Sequence, residues 1–400
     1  MTPINTDYLA PELKEWFDKK APVDYIKKDV LKLHAVLGGN IQPYLNINEN
    51  YGHGGVLDKN KEPVKESETV LRGHVLVRPN KEILEDQIKK TKSGEILNVN
   101  EDVIFMGVMP AHFGHIMVDT MAMLWPLLQD PYKDMKIVFL QEHKGAGGFS
   151  KLIALFGIPL EKILFIHEPV SFKTVYIPEP AQYKETAFYK DRPTYVHPIL
   201  NDVFKQIVAN VRGEPKNPIK KVYMSRAKLK NGVPTFGEQQ IENIFAKNGF
   251  CVFFPETMSF EDQIRVVRNA DTLACTESSL LHHSLFMKDG SRLIVLDRSS
   301  IDGNPRQLAF NQMKNIDAVY VSASMDLFKS FSTENNFCPH LVGGTEYLKK
   351  FFMDEQFIWS EKDLAQSWHD YMDYIVDYGR CKKLDMRAEL SKRLEKFEKK

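Results

Sequence analysis

Residues 270–297 constrain the fold more than any other part of the chain: A-D-T-L-A-C-T-E-S-S-L-L-H-H-S-L-F-M-K-D-G-S-R-L-I-V-L-D. The pattern predicts strand, tight turn, helix, turn, strand. Residues 272–275 are short, uncharged and β-compatible. Thr276, Glu277, Ser278 and Ser279 can each offer an oxygen to the exposed N–H groups of a helix start. Residues 280–287 carry apolar side chains at helical spacing, and Lys288-Asp289-Gly290 stops the helix. Residues 292–296 read as a second buried strand. A helix that starts at the carboxyl end of a parallel strand attracts anions, through its N–H groups and the positive end of its dipole. The turn is a candidate seat for a nucleotide diphosphate. The plainer alternative is an ordinary, well-capped strand–helix turn.

The same alternation extends in both directions. Strands are expected at 103–108, 136–140, 164–166 and 175–177, with helices at 115–128 and 150–156 and a Gly-rich loop at 145–148. This β-α-β-α-β order predicts a parallel sheet. Residues 181–198 look like irregular surface structure, and 199–211 like a connecting helix. Arg212 to Pro218 is rich in Pro, Gly and charge, which marks a domain boundary. Beyond it, strands at 222–224 and 250–254 flank a helix at 238–248 that Gly249 stops. Ser259 and Asp262 then open another helix in a capping-box pattern. Residues 1–100, punctuated by Gly and Pro, are expected to form hairpins on a domain edge. Residues 347–400 read as helices, and the alternating charges of 392–400 as a solvated face.

Bulk properties exclude several classes. A formal net charge of zero gives no support for nucleic-acid binding. Residues 1–20 hold prolines and charges and no apolar core, so no signal peptide is expected. No run reaches the roughly 18 apolar residues of a membrane span. The best candidate, 116–128, is interrupted by Asp119. Cys251, Cys275, Cys338 and Cys381 form no Cys-x-x-Cys pair, and two fall in expected buried strands. That pattern suits reduced core thiols in a cytosolic protein.

Three clusters fall at expected strand ends. In A-H-F-G-H-I-M-V-D, His115 and Asp119 are four residues apart and share a helix face, with His112 just before. A carboxylate beside an imidazole can take a proton from a hydroxyl, directly or through the imidazole. The pair could also bind a divalent ion, but two ligands are too few for a site. A cap with an intrahelical hydrogen bond would explain it equally well. Ser225-Arg226-Ala-Lys228-Leu-Lys230 places three cations after a strand, suited to phosphate oxygens or simply to solvent. The third cluster is Thr276 to Ser279 with His282 and His283. There Glu277 can accept from ribose hydroxyls, and His283 follows Ser279 by four residues. A histidine so placed is more often a packing residue. The sequence has no Gly-x-x-x-x-Gly-Lys, Gly-x-Gly-x-x-Gly or Gly-x-Ser-x-Gly, and no Asp-x-Asp.

Ser225-Arg226, the helix running from Glu238 to Phe250, Pro255-Glu256-x-x-Ser259-x-x-x-Gln263-Ile264, Asn269-Ala270-Asp271 and Ser279-Leu-Leu-His-His-Ser-Leu-Phe286 together resemble glycosyltransferase family 61. Phe113-Gly-His115-x-x-x-Asp119 with Leu124-Trp125 looks like that family's Asn-x-x-His-x-x-x-Asp helix. Two departures stand out. Glu277-Ser-Ser-Leu-Leu281 replaces His-Gly-Ala-Gly-Leu, and His112 replaces the Asn.

The resemblance implies an α/β protein of GT-B type. Its two Rossmann-like domains would face a cleft: an acceptor-side domain at 1–212 with β-rich decoration, and a nucleotide-sugar domain at 213–345. Helices would follow at 346–400. It implies an inverting hexosyl- or pentosyltransferase. The donor would be a nucleotide sugar, UDP-linked, and the acceptor an oligosaccharide or polysaccharide. No obligatory metal or other cofactor is implied. Asp119 and His115 would be catalytic and His112 acceptor-side. Arg226, Lys228, Thr276, Glu277, Ser278, Ser279 and His283 would bind the donor. Without a secretory signal, the bacterial branch that makes capsule and surface polysaccharide fits best, in the cytoplasm or at the inner face of the membrane, with at most peripheral membrane contact. Competing expectations are a sugar-nucleotide epimerase of GT-B architecture, and a binding relative without catalysis.

Overall fold

The computed structural model describes residues 4–71, 75–141, 146–186, 188, 192–213, 218–229, 232–298, 302–325, 338–388 and 390. The chain divides into two compact units. One is Asp24–Arg212; the other combines Met1–Val23 with Gly213–Lys400. Both are α/β, with parallel strands at their centres.

The first strand, β1 (Ile4–Tyr8), does not pair with the strands that follow it. The N-terminal unit begins at Asp24. It contains β2 (Leu33–Leu37), β3 (Asn40–Asn48), β4 (Tyr51–Leu57), β5 (Thr69–Leu71) and β6 (Val75–Arg78). Next come β7 (Leu97–Met109), β8 (Lys136–Gln141), β9 (Ile163–Ile166) and β10 (Val170–Pro178). These form one sheet in the order β5-β6-β4-β3-β10-β7-β8-β9, with β2 also on β10. The β10-β7-β8-β9 part is parallel. The hairpins expected in the first hundred residues therefore extend this sheet rather than form a separate layer. In β8, K-I-V-F-L-Q, the four central apolar residues are all buried, as in a strand covered on both faces. From β7 the chain steps outward through β8 and β9, then returns to the other side of β7 as β10. The order thus reverses between β7 and β10.

Two regions of this unit differ from expectation. Residues 181–198 are not irregular surface. They begin and end as a small hairpin, β11 (Gln182–Tyr183) with β12 (Tyr195–Val196), and Ala181, Gln182 and Val196 are buried. Residues 115–128 are helical but not one α-helix. A single α-turn, Phe113–His115, passes into a π-turn, Ile116–Thr120, and then into 3₁₀ turns, Met121–Met123 and Trp125–Leu128. Pro126 cannot donate to a regular α ladder, and this nearly all-apolar segment is fitted turn by turn to its surroundings.

The C-terminal unit contains β13 (Lys221–Met224), β14 (Thr235–Phe236), β15 (Cys251–Phe253), β16 (Thr272–Thr276), β17 (Arg292–Asp297), β18 (Asp317–Ser322) and β19 (His340–Leu341). Its main sheet runs β1-β18-β17-β16-β13-β15. Every neighbouring pair is parallel. Beside it, β14 and β19 pair with each other. The order reverses between β13 and β16. Helices Glu238–Lys247, Phe260–Val267, Pro305–Met313 and Glu346–Asp354 belong to this unit. Its core packs Tyr223, Phe245, Ile294, Val319, Phe351 and Phe352 together. The expected cap at Ser259 is present, with Oγ accepting from the Asp262 N–H at 3.1 Å.

Three expectations are corrected here. Residues 1–23 do not go with 24–212. β1 lies along β18, the Ala10 N–H donates to Ser322 Oγ at 2.9 Å, and the Phe17 ring sits 4.4 Å from that of Tyr320. Without β1, β18 would be an open edge, and local sequence pattern does not say which sheet an edge strand will complete. The cysteines are not all reduced core thiols. Cys338 and Cys381 are bonded to each other, Cys251 is exposed on the edge strand β15, and Cys275 alone is a buried thiol. The segment after β16 is a 3₁₀ helix, Ser279–Phe286, rather than an α-helix. No helix among the described residues is long and apolar enough to cross a membrane. Part of the Gly-rich loop, most of the boundary segment 212–218 and the charged residues 392–400 lie outside the described residues.

Candidate functional site

In open α/β sheets, ligands bind outside the carboxyl ends of the strands, where the strand order reverses. Each unit has one such place; the C-terminal one holds two of the clusters expected from sequence and the N-terminal one the third.

In the C-terminal unit the reversal lies between β13 and β16. Arg226 follows β13, and Glu277, Ser278 and Ser279 follow β16. Arg226 is half-buried. Its Nη2 donates to the Val233 carbonyl at 3.3 Å, while its Nε is buried with no partner among the described residues. Burial holds the guanidinium below its ordinary range, against the pull of Glu238 and Glu256. Behind it, Glu238 is fully buried. One carboxyl oxygen accepts from Arg226 N–H at 3.2 Å, Tyr223 O–H at 3.3 Å and Thr276 O–H at 3.4 Å. Its other oxygen has no partner among the described residues. Burial pushes this carboxyl up to about 7, although the bonds from Arg226 and Tyr223 pull the other way. Gly237 makes the arrangement possible. It opens the Glu238–Lys247 helix at φ +82°, and a Cβ there would sit 2.1 Å from the Val342 carbonyl oxygen.

The rim of this site contains groups the sequence reading passed over. Asp297 ends β17, and Arg298 follows it. Glu277 is pushed well above the carboxylate range by burial and by Asp297, with which it shares a hydrogen bond. Arg298 is pushed down to about 10 by burial and by the Arg226 guanidinium. Its Nη1 donates to Thr235 Oγ1 at 3.2 Å. His340, at the start of β19, sits with Nδ1 3.1 Å from the Arg298 carbonyl. Burial and Arg298 push its imidazole down to about 3, so it is neutral and Nδ1 carries the proton that the carbonyl accepts. The signal for Asp297 and Arg298 was present: two charged residues directly after the apolar run 293–296 of a parallel strand. Glu238 and His340 gave no such signal.

The remaining donor-side candidates separate. Thr276 is fully buried and its hydroxyl is committed to Glu238. Ser278 caps the 3₁₀ helix, accepting from Leu280 N–H at 3.3 Å and donating to the Thr276 carbonyl at 3.2 Å. Lys228 is exposed, its Nζ 3.7 Å from the centre of the Phe254 ring. His283 is a packing residue. It is enclosed with Nδ1 3.0 Å from the Leu280 carbonyl and Nε2 2.8 Å from Gln263 Oε1. Burial pushes it down to about 4. Expected to share a face with Ser279 by α spacing, it does not, because the helix is 3₁₀ and repeats every three residues. Lys230 lies outside the described residues.

In the N-terminal unit the reversal between β7 and β10 brings the turn after β7 to the segment after β10. His115 Nδ1 is 2.7 Å from Asp119 Oδ2. Both side chains are partly open to solvent, at 25% and 36% relative exposure, so the pair is reachable by a substrate. His112 caps the turn, its Nδ1 accepting from Gly114 N–H at 3.1 Å, and its ring meets that of His115 edge-on at 5.4 Å. From the β10 side, the Ala181 N–H donates to the Ala122 carbonyl at 2.8 Å, and the Trp125 indole to the Glu179 carbonyl at 2.9 Å. Gln182, not singled out from sequence, donates from Nε2 to Asp119 Oδ1 at 3.2 Å. Among the described residues, no group of three or more His, Cys, Asp or Glu side chains is placed to hold a metal ion.

One site thus gathers buried guanidinium groups and the other an accessible imidazole–carboxylate pair. No curated protein matches the chain. The family model described as glycosyltransferase 61 matches residues 113–294, from the turn that carries His115 and Asp119 to the middle of β17. That stretch is similar to glycosyltransferase family 61.

Proposed function

We propose that the protein is an inverting glycosyltransferase of GT-B type. It moves a sugar from a UDP-linked donor to a hydroxyl of a growing surface polysaccharide, the capsule of a bacterium being the working assignment. The observation that supports this most is the division of labour between the two order reversals: the Arg226 and Arg298 guanidinium groups gather at one, and the solvent-reachable His115–Asp119 pair stands at the other. The donor's diphosphate lies against Arg226 and Arg298, with the N–H groups of the Ser278–Ser279 turn. Arg226 Nε supplies a buried donor with no partner among the described residues. As the anomeric carbon–oxygen bond breaks, its electron pair goes to the diphosphate, and these cations stabilise the charge without an obligatory metal. The His115–Asp119 pair takes the proton of the attacking hydroxyl.

The test is a donor screen with purified protein. Release of nucleoside diphosphate that depends on a glycan acceptor supports the reading. Isomerised or free sugar formed without acceptor points to the epimerase chemistry. Excess EDTA should leave most of the activity, and abolition with rescue by magnesium or manganese would overturn the metal-free step.

One observation favours a second reading, a nucleotide-binding relative without catalysis. The Glu277–Asp297 carboxyl pair sits where the family has a histidine, and a second negative charge there would repel a diphosphate. The shared hydrogen bond and the raised carboxyl of Glu277 reduce that charge. Nucleotide that raises the melting temperature without any turnover would support this second reading. The cytoplasmic placement expected from unpaired cysteines loses that support, because Cys338 and Cys381 are bonded.

A further inference from the structure

Gln182 is 3% exposed and stands at the foot of the β11–β12 hairpin. Its Nε2 donates to Asp119 Oδ1, and its Oε1 is buried with no partner among the described residues. A buried amide with half its capacity unused costs stability. A purely structural position would favour an apolar side chain. Among the described residues, the one hydrogen bond from this amide's side chain goes to the carboxylate of the candidate acid–base pair. It reaches Asp119 because the strand order reverses between β7 and β10, which sets the segment after β10 against the turn after β7.

We propose that Gln182 is a positioning residue that fixes Asp119 as the acceptor of the His115 Nδ1 proton, so that His115 Nε2 is the atom that receives the proton of the acceptor hydroxyl. Asp119 is gripped from both sides. Oδ1 accepts a hydrogen bond from the amide Nε2–H and Oδ2 faces Nδ1 at 2.7 Å. With the amide donating to one oxygen, the carboxylate is held in one rotamer and presents the other to the imidazole. A carboxylate can only accept, so Nδ1 carries hydrogen and Nε2 carries the lone pair. Beside this pair stands the titratable side chain of His112, its ring 5.4 Å from that of His115 and its Nδ1 accepting from the Gly114 N–H. In the transfer step the hydroxyl O–H bond breaks and its proton goes to Nε2. The oxygen's electron pair forms the bond to the anomeric carbon, and the pair of the breaking carbon–oxygen bond leaves on the diphosphate. The imidazolium, stabilised by Asp119, then gives its proton to solvent. This inference rests on the acid–base assignment made under the proposed function.

The test compares Gln182→Met, Gln182→Glu, His115→Ala and Asp119→Asn in the full-length protein, using UDP release with acceptor, UDP affinity and ¹⁵N shifts of the His115 ring. Gln182→Met should lower kcat about 10–100-fold with UDP affinity unchanged. Its ¹⁵N shifts should show the wild-type Nδ1–H form giving way to mixed tautomers. Gln182→Glu sets a second negative charge behind Asp119. That stabilises the imidazolium, and the acid limb of kcat/KM should move to higher pH by about one unit. If Gln182→Met keeps wild-type kcat and ring shifts, and Gln182→Glu leaves the limb in place, the positioning role is overturned. Should His115→Ala and Asp119→Asn also transfer normally, the acid–base reading itself falls. If those two lose transfer while the Gln182 variants do not, only the present inference fails. The ring shifts read the tautomer even in a variant too inactive to assay.

Discussion

The two units solve different problems with the same device. In each, the strand order turns back on itself and opens a place at the carboxyl ends. The C-terminal unit fills that place with ionisable groups withdrawn from water: Glu238 up to about 7, Arg298 down to about 10, His340 down to about 3. The N-terminal unit leaves its His115–Asp119 pair partly in solvent. On the proposed function, the diphosphate of a UDP-linked donor is the same whatever sugar it carries, so fixed cations can be arranged for it in advance. An attacking hydroxyl must arrive, lose a proton and leave as product. A base that exchanges protons with water suits that cycle.

The sharpest way to break the comparison is Asp119→Asn. It keeps shape and removes charge, and loss of a general base typically lowers turnover about 10²–10⁴-fold. UDP affinity should stay near wild type, since the donor groups belong to the other unit. Transfer at more than about a third of the normal rate would remove Asp119 from the chemistry.

Next in size is Phe17→Ala. This residue comes from the first 23 of the chain but packs on Tyr320 with 1% exposure. Its loss should cost the C-terminal unit about 3–5 kcal/mol. In chemical denaturation, a probe in the C-terminal unit should shift and a probe in the N-terminal unit should not. Equal shifts would mean that the two units unfold together.

The buried carboxyl of Glu238 gives a test by pH. In the unfolded chain it ionises near 4.5; in the folded unit, near 7. Between those values the unfolded state has released a proton that the folded state keeps. Stability should therefore fall as pH rises from about 4.5 to 7, and this contribution levels off above that. The total is on the order of 3 kcal/mol. Glu238→Gln should flatten the slope, as read by urea titrations at several pH values. An unchanged slope would show that Glu238 is ionised throughout.

The smallest effects separate Arg226 from Lys228. Arg226→Ala should weaken UDP binding by about 1.5–3 kcal/mol, the usual worth of a hydrogen bond to a charged group. Lys228→Ala, at an exposed position over Phe254, should change it by less than about 0.5 kcal/mol. Calorimetry would decide, and equal losses would return Lys228 to the site.

Legibility in the sequence follows the same division. Between residues 221 and 297 the C-terminal unit repeats strand, turn and helix at short range, so most elements there and the Arg226 and Glu277 turns could be read from spacing; the helix Pro305–Met313 and the strand β18 were not read. Glu238 and His340 were not legible. Glu238 looks like an ordinary first-turn acid until Gly237 turns it inward, and His340 reaches Arg298 only through the β14–β19 pairing. The His115–Asp119 pair could be seen because its spacing is local. Gln182 could not, because its bond to Asp119 crosses 63 residues and depends on where β10 returns in the sheet. The change from α to 3₁₀ geometry after β16 was also invisible, and it moved His283 from the expected binding face to the interior.

The placement of β1 has a consequence for how the protein is made. Ala10 and its partner Ser322 are 312 residues apart. At about 5–20 residues per second, a ribosome needs roughly 15–60 s to deliver the second after the first. Throughout that interval the opening helix, Pro11–Lys20, displays Leu13 and Phe17 with nothing to cover them. All of Asp24–Arg212 can meanwhile collapse behind it. β1 is thus made long before the strand it pairs with, and it is seated only once β18 has followed.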